Sequence, residues 1–362
     1  MTDIPVTRPS LAPLEEYVDY LKTIWETGVM THNGPIMQRF EHELAEYLGV
    51  EHVVCLANGT CALQLAIRAL DLSGEVITTP FTFIATASII RWERCRPVFV
   101  DIDPDTWNID AGLVEQAVTS RTSAILPVHV FSAPCDVGRI AAIAERHGLR
   151  VIYDAAHAFG VQVGGSTVLR HGDISAVSFH ATKLLNAAEG GACITRDRSL
   201  ADRLRRLRFF GFDENKDIVD EGMNAKMTEV SAALGLANLS RMSQFRRNRR
   251  DKSELYRRLL SGSPNLRLQR FRPEEYNYSY MPVVFDDEET LLRTIRRLAD
   301  DGINPRRYFY PSLNTVPIFQ PQQRLPVSER VARTVLCLPL YDTLSTEDIE
   351  RICGHVISQT RH

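Results

Sequence analysis

The stretch MQRFEHELAEYLG places Met37, Phe40, Leu44, Tyr47 and Leu48 at three- and four-residue intervals and ends on Gly49. That spacing predicts an amphipathic helix closed by a left-handed glycine. Beyond it the pattern alternates. EVITTP, PVFVDI, AILPVHV and RVIYDA are short β-branched runs ending in acids or prolines, and helical stretches such as GRIAAIAERHG separate them. Short runs that are apolar at nearly every position are buried on both faces, so a mostly parallel sheet with helices on each side is expected. ISAVSF and GACITRD add two more strands. After about residue 240 the rhythm changes to a long charged helix, a strand at MPVVFDD, a helix at ETLLRTIRRLADDG and a closing helix at STEDIERICGHVI. The expectation is a large α/β domain over residues 1–240 and a smaller α+β domain over 241–362.

Composition narrows this picture without redirecting it. The 362 residues suffice for two such domains, and 44% hydrophobic with 24% charged residues is an ordinary globular balance. A net charge of -3 gives no electrostatic case for a nucleic-acid partner. In RMSQFRRNRRDKSELYRRLL the arginines interleave with Met242, Phe245, Leu255 and Leu259, which reads as a solvated helix face or, more weakly, as a contact for a nucleotide diphosphate. Seven cysteines are scattered through apolar runs with no CxxC and no metal-ligand spacing, the habit of reduced core cysteines in a cytoplasmic protein. No metal site is expected. The N-terminus carries no apolar signal region and no run of 18 apolar residues occurs, so no membrane partner is expected.

Candidate chemistry starts at SFHATKLLNAAEGG. Lys183 is the only Lys or Arg between Arg170 and Arg196 and lies among small and apolar residues. A buried lysine without a carboxylate partner tends to lose its proton, and a neutral amine is a nucleophile suited to a Schiff base; the plainer alternative is a lysine that snorkels to water. RVIYDAAHAFG ends a buried strand on Asp154. Carboxyl ends of parallel strands face the ligand crevice, where a carboxylate can keep a pyridinium nitrogen protonated; Asp154 could equally cap the helix that its alanines suggest. In ANGTCALQLAIRAL, Asn58-Gly59-Thr60 opens a helix at its positive end, a cradle for phosphate, though an ordinary capped helix start looks the same. Ser178 adds a hydroxyl. In TTPFTFIATAS, Phe81 and Phe83 follow a strand, where an aromatic could lie on a pyridine ring or simply belong to the core. Phosphate cradle, aromatic, carboxylate and lysine follow one another in that order, with Asp154 29 residues before Lys183. The order matches the layout of large pyridoxal phosphate (PLP) enzymes of the aspartate aminotransferase fold.

The chain resembles the DegT/StrS family of PLP-dependent sugar aminotransferases over nearly its whole length. The resemblance rests on THNGPIMQRFEHELAEYLGV, NGTCALQLAIRAL, VITTPFTFIATAS, PVFVDIDPDTWNID, VIYDAAHAFG, SFHATKLLNAAEGG, GMNAKMTEVSAALGLANL and LCLPLYDTLSTEDIERI. Within the family, IPVTRPSLAPLEEY and RRYFYPSLNT resemble enzymes that aminate C4 of nucleotide-linked 4-keto-6-deoxy sugars such as dTDP-4-keto-6-deoxyglucose. The resemblance implies an α/β PLP-dependent transferase of fold type I, a homodimer with shared active sites, and L-glutamate as amino donor. Lys183 would carry the cofactor and shuttle the proton, Asp154 would pair with the pyridinium nitrogen, and His157 would contact the phenolic oxygen. Phe83 would stack on the ring, while Gly59, Thr60, Cys61 and Ser178 would hold the phosphate. Asn224 would reach the neighbouring subunit's site. Asn33, Lys226, Tyr308 and Asn314 are candidates for substrate contact. Ala225-Lys226 stands where Tyr-Arg is common, and Ser312 and Asn314 stand near where many members carry Pro-Leu-His, which changes the pyrophosphate and sugar contacts. A 3-aminotransferase, a sugar dehydrase of the same fold and a non-catalytic PLP-binding regulator are the alternatives. The dehydrases replace the lysine with histidine, which Lys183 speaks against.

Overall fold

Each strand of the main sheet divides its side chains between two cores. In the computed structural model, which describes residues 3–319 and 323–360, seven strands form this sheet: β1 (His52–Leu56), β2 (Glu75–Thr78), β3 (Arg96–Phe99), β4 (Thr122–Leu126), β5 (Arg150–Asp154), β6 (Ile174–Ser178) and β7 (Gly191–Thr195). Val53, Cys55, Ile77, Ile125, Val151, Tyr153, Ala192 and Ile194 face helices Pro35–Leu48 and Val137–His147 on one side. Their strand neighbours Val54, Leu56, Val76, Ala124, Leu126, Ile152 and Cys193 face helices Gly59–Ala69, Ile84–Trp92 and Arg198–Leu207 on the other. Alternation of apolar residues onto both faces is what made these strands read as continuous hydrophobic runs.

The spatial order is β1-β7-β6-β5-β4-β2-β3. β7 runs antiparallel to both β1 and β6, and all other pairs are parallel. The carboxyl ends of β1, β2, β4, β5 and β6 therefore open on the same edge of the sheet. The edge strand β1 had no separate signal in the sequence pattern, yet it delivers Asn58 and Gly59 to that edge.

A second unit is built on a three-stranded antiparallel sheet of β8 (Leu266–Leu268), β9 (Met281–Phe285) and β10 (Val335–Leu338), with β9 in the centre. Its core joins this sheet to helices Glu288–Ala299 and Thr346–Thr360. Two features cross the division expected at residue 240. Ile4–Pro5 pairs with Ile303–Asn304, so the first residues pack with the second unit. Helix Met242–Leu260 buries Met242 and Phe245 in the first core and Tyr256 and Leu260 in the second.

The arginine face of that helix is not wholly solvated. Arg247 and Arg250 are exposed, but Arg249 is fully buried and donates to the carbonyls of Ser279 and Leu340 and to the Ser10 hydroxyl, with Asp342 as its counter-ion at 3.3 Å. A buried guanidinium needs such partners, because its desolvation is otherwise uncompensated. The apolar positions of GMNAKMTEVSAALGLANL, among them Met227 and Ala233, also belong to this chain's interior. Helix Glu229–Leu239 packs between helices Leu14–Thr27 and Pro35–Leu48, and a methyl group on Gly235 would come within 2.4 Å of the Phe40 ring.

Candidate active site

At the carboxyl edge of the sheet lies a cavity of about 420 Å³. Asp154, the last residue of β5, is buried in its wall. Its carboxylate accepts the Thr86 hydroxyl at 2.7 Å and the Ala156 amide at 3.1 Å. Burial raises its pKa, with those two donors and the Lys183 amine partly opposing the rise. The helix-capping alternative is not what the structure has: residues 155–161 form turns and no helix, and the two carboxylate oxygens are divided between the Ala156 amide and the Thr86 hydroxyl. A carboxyl in this state lacks a full counter-charge, which a protonated ring nitrogen would supply.

Lys183 lies in the loop between β6 and β7 and extends into the same cavity. Its amine donates to the Tyr280 hydroxyl at 3.2 Å. Burial pushes its pKa down to about 8, against the opposing influence of Asp154 and Tyr308. The snorkelling alternative does not describe this side chain: the amine points to the cavity, and a sizeable neutral fraction exists near neutral pH.

Asn58, Gly59 and Thr60 form the opposite wall. The Asn58 side chain accepts the Cys61 amide at 2.8 Å, which fixes the start of helix Gly59–Ala69. That bond engages the Cys61 amide, and Cys61 does not line the cavity. The amides of Gly59 and Thr60, the Thr60 hydroxyl and Ser178 remain at the helix's positive end. Gly59 is required by close approach: a Cβ there would meet the Ser178 Cβ at 2.8 Å. Gly191 is equally constrained, since its Cβ would lie 2.5 Å from the Asn58 backbone.

The two phenylalanines after β2 part company. Phe81 is fully buried, edge-on to Phe131 and Phe309, whereas Phe83 precedes helix Ile84–Trp92 and is 59% exposed at the cavity wall. A solvent-exposed aromatic face beside Asp154 suits a flat aromatic ligand. His157 is buried, stacked on Phe131 and Phe309, and its Nδ1 accepts the Phe131 amide at 3.2 Å. Burial, reinforced by Lys183, lowers its pKa well below the usual value, so the ring is neutral and Nε2 carries the proton. Tyr308 also lines the cavity.

Four expected residues lie elsewhere. Asn33 and Lys226 share a separate cleft of about 210 Å³ with Arg205, Arg208 and Phe209. Lys226 donates to the Asn224 side chain at 2.5 Å and sits over the Phe209 and Phe210 rings, so Asn224 belongs to the same patch. Asn314 is no cavity residue. It is buried, donating to the Gln323 carbonyl and the Glu329 carboxylate of helix Pro326–Thr334 and accepting from Ser312, which ties its amide to the segment that follows. Conversely, Thr86, Tyr280, His180 and Glu189 take part in the site without having been singled out. Thr86 lies one helical turn beyond Phe83, a spacing that could have marked it. Tyr280 is contributed by the second unit and carries no local signal.

Residues 14–357 match the DegT/DnrJ/EryC1/StrS aminotransferase family. The chain belongs to that family. It is 43% identical to the dTDP-4-amino-4,6-dideoxy-D-glucose transaminase of Shigella dysenteriae, an alignment covering 97% of each chain. It is 32% identical to the GDP-perosamine synthase of Escherichia coli O157:H7 over 98% of each. Among solved structures, DesI in the presence of its TDP-sugar product superposes with a TM-score of 0.94 at 36% identity, covering all of this chain and 94% of the other. Membership in this family fixes the chain as a sugar aminotransferase of the α/β fold type I class. Among the described residues no helix is long and apolar enough to cross a membrane.

Proposed function

We propose that this protein is a PLP-dependent aminotransferase that moves an amino group from L-glutamate to C4 of a dTDP-linked 4-keto-6-deoxy sugar. The observation that carries the reading is the convergence of Lys183, Asp154, Phe83 and the Gly59–Thr60–Ser178 cradle on one cavity. The similarity to the Shigella dysenteriae transaminase supports the sugar and the carbon, and that to DesI supports a thymidine-linked substrate.

The residues present fit PLP in shape and charge. The glycine cradle leaves room that a Cβ would fill, Asp154 is short of a counter-charge, and Phe83 offers a bare aromatic face. When bound, PLP supplies an electron sink that makes the carbon bearing the amine acidic. The chain's own groups do the rest. Asp154 would keep the ring nitrogen protonated, His157 would offer its Nε2 proton to the phenolic oxygen, and the cradle would hold the phosphate at a helix N-terminus. The Lys183 amine, in its free-base form, would take the proton from the α-carbon of the donor, and the ammonium so formed would hold that proton until it is given up again. In the second half the same amine works in reverse on the sugar.

The active unit on this reading is a cytoplasmic homodimer, each protomer a large PLP domain over 1–240 and a smaller one over 241–362. Asn33, Asn224 and Lys226 serve the neighbouring site, because they sit in a cleft apart from their own chain's cavity. Phe210, Ile218 and Val219 lie exposed near that cleft and call for cover. The test is a panel of dTDP-, UDP- and GDP-linked keto sugars with PLP and glutamate, read by mass spectrometry. Conversion of the dTDP-4-keto-6-deoxy sugar to a 4-amino product is expected. Failure on every keto sugar, with PLP bound, would overturn the reading.

A further inference from the structure

The Lys183 amine has a single hydroxyl within hydrogen-bond distance among the described residues, and that hydroxyl belongs to the second unit. Tyr280 immediately precedes β9, and its phenol lies 3.2 Å from Lys183 Nζ. Its ring is fixed from several sides: 4.5 Å from the His157 ring, 5.5 Å from Phe131 and edge-on to Tyr308 at 6.3 Å. The backbone leading to it is anchored as well. Asn277, fully buried, donates to the carbonyls of His157 and Phe159 at 2.8 and 2.9 Å, and its own oxygen accepts the Ser279 amide and hydroxyl. The segment that carries Tyr280 is thus bonded directly to the loop that follows Asp154.

We propose that Tyr280 is a positioning residue that docks the free Lys183 amine, so that the C-terminal unit orients the base of the reaction. The inference rests on the assignment of Lys183 as that base. A hydroxyl accepts from an ammonium and donates to a neutral amine, so the contact persists in both protonation states through which Lys183 must pass. A flexible four-carbon chain released from a covalent bond would otherwise sample many rotamers, and its productive geometry would be diluted. The phenol does not compete as a base, because burial raises its pKa well above the working range. The groups facing the pair are Asp154 at the end of β5 and His157 from the loop after it, Tyr308 and Phe309 from the second unit, and Cys337 and Arg249 behind Tyr280. His180 and Glu189 stand at the cavity wall.

The experiment uses Tyr280→Phe, which keeps the ring and removes the hydroxyl. In cofactor-free protein, acetylation of Lys183 by acetic anhydride is followed by peptide mass spectrometry across pH. The wild type should show a midpoint near 8. The bond to the ammonium is charge-assisted and so the stronger of the two, and its loss should lower that midpoint by about one pH unit in Tyr280→Phe. In PLP-loaded enzyme kcat should fall on the order of tenfold while KM for glutamate stays unchanged, as for an interaction that orients the base. An unchanged acetylation midpoint overturns the docking role, whatever happens to the rate. The two readings fail separately: absence of turnover by the wild type would remove the assigned reaction, while the amine titration still decides the Tyr280 contact.

Discussion

At the scale of single residues, Lys183 and Asp154 are held in states that cost stability and serve chemistry. Lys183→Ala should abolish transamination and remove the visible absorption of the bound cofactor; retention of wild-type turnover would refute its role. The lysine's pKa is depressed to about 8 from its ordinary 10.5, chiefly by burial. The folded protein therefore binds fewer protons than the unfolded chain between those values. Stability linked to this group is full above the unfolded value and is lost as pH falls toward 8. Cofactor-free Lys183→Met should accordingly be more stable than wild type at pH 7, by on the order of 1–3 kcal/mol, with the difference shrinking toward pH 10. Denaturant melts at both pH values measure it. In the loaded enzyme, steps that need the free amine should speed up as pH rises through about 8. Asp154→Asn should keep the fold and lose on the order of a thousandfold in kcat, because a neutral amide cannot hold the ring nitrogen protonated. Near-normal turnover in a folded variant would reduce Asp154 to its bond with the Ala156 amide.

At the scale of elements, the site depends on close approaches and on helix starts. Gly59→Ala would push a methyl group into Ser178 at the first turn of helix Gly59–Ala69. The expected result is a folded protein with PLP affinity weakened at least tenfold, measured by titrating apoprotein and following absorbance; unchanged affinity would place the phosphate elsewhere. Helix Pro35–Leu48 shows a different dependence. It begins at Gly34 with no side-chain cap of its own, and the buried Glu229 carboxylate accepts the Ile36 and Met37 amides at 2.8 and 3.2 Å. Glu229→Ala leaves those amides without partners and should cost about 1–3 kcal/mol in a chemical denaturation curve. The cap comes from 193 residues away, so nothing at the helix itself announced it.

At the scale of the whole molecule, the proposed shared-site dimer predicts complementation. Lys183→Ala and Asn224→Ala proteins, each inactive or weakened, should regain activity when mixed under subunit exchange, since one site of a mixed pair carries neither lesion. Exchange verified by mass without recovered activity, or an active monomer, would refute action in trans. The sequence by itself determined much of this protein. Residues contiguous with a strand end or a helix start could be read locally: Lys183, Asp154, Phe83, Gly59, Thr60 and Ser178 all line one cavity, joined there by His157 and Tyr308, which only the family resemblance singled out. The reason is that backbone direction in a parallel sheet sends every such segment to the same edge, so chain order alone predicts convergence. What the sequence could not settle were contacts between distant segments and how a polar group's valences are spent. Cys61 lost its amide to Asn58, Asn314 spent its amide on Gln323 and Glu329, and the apolar residues after Asn224 packed into their own chain. Tyr280 met Lys183 across 97 residues. Hydrogen bonds and close packing act over about 3–4 Å, and only the tertiary structure decides which groups come that close.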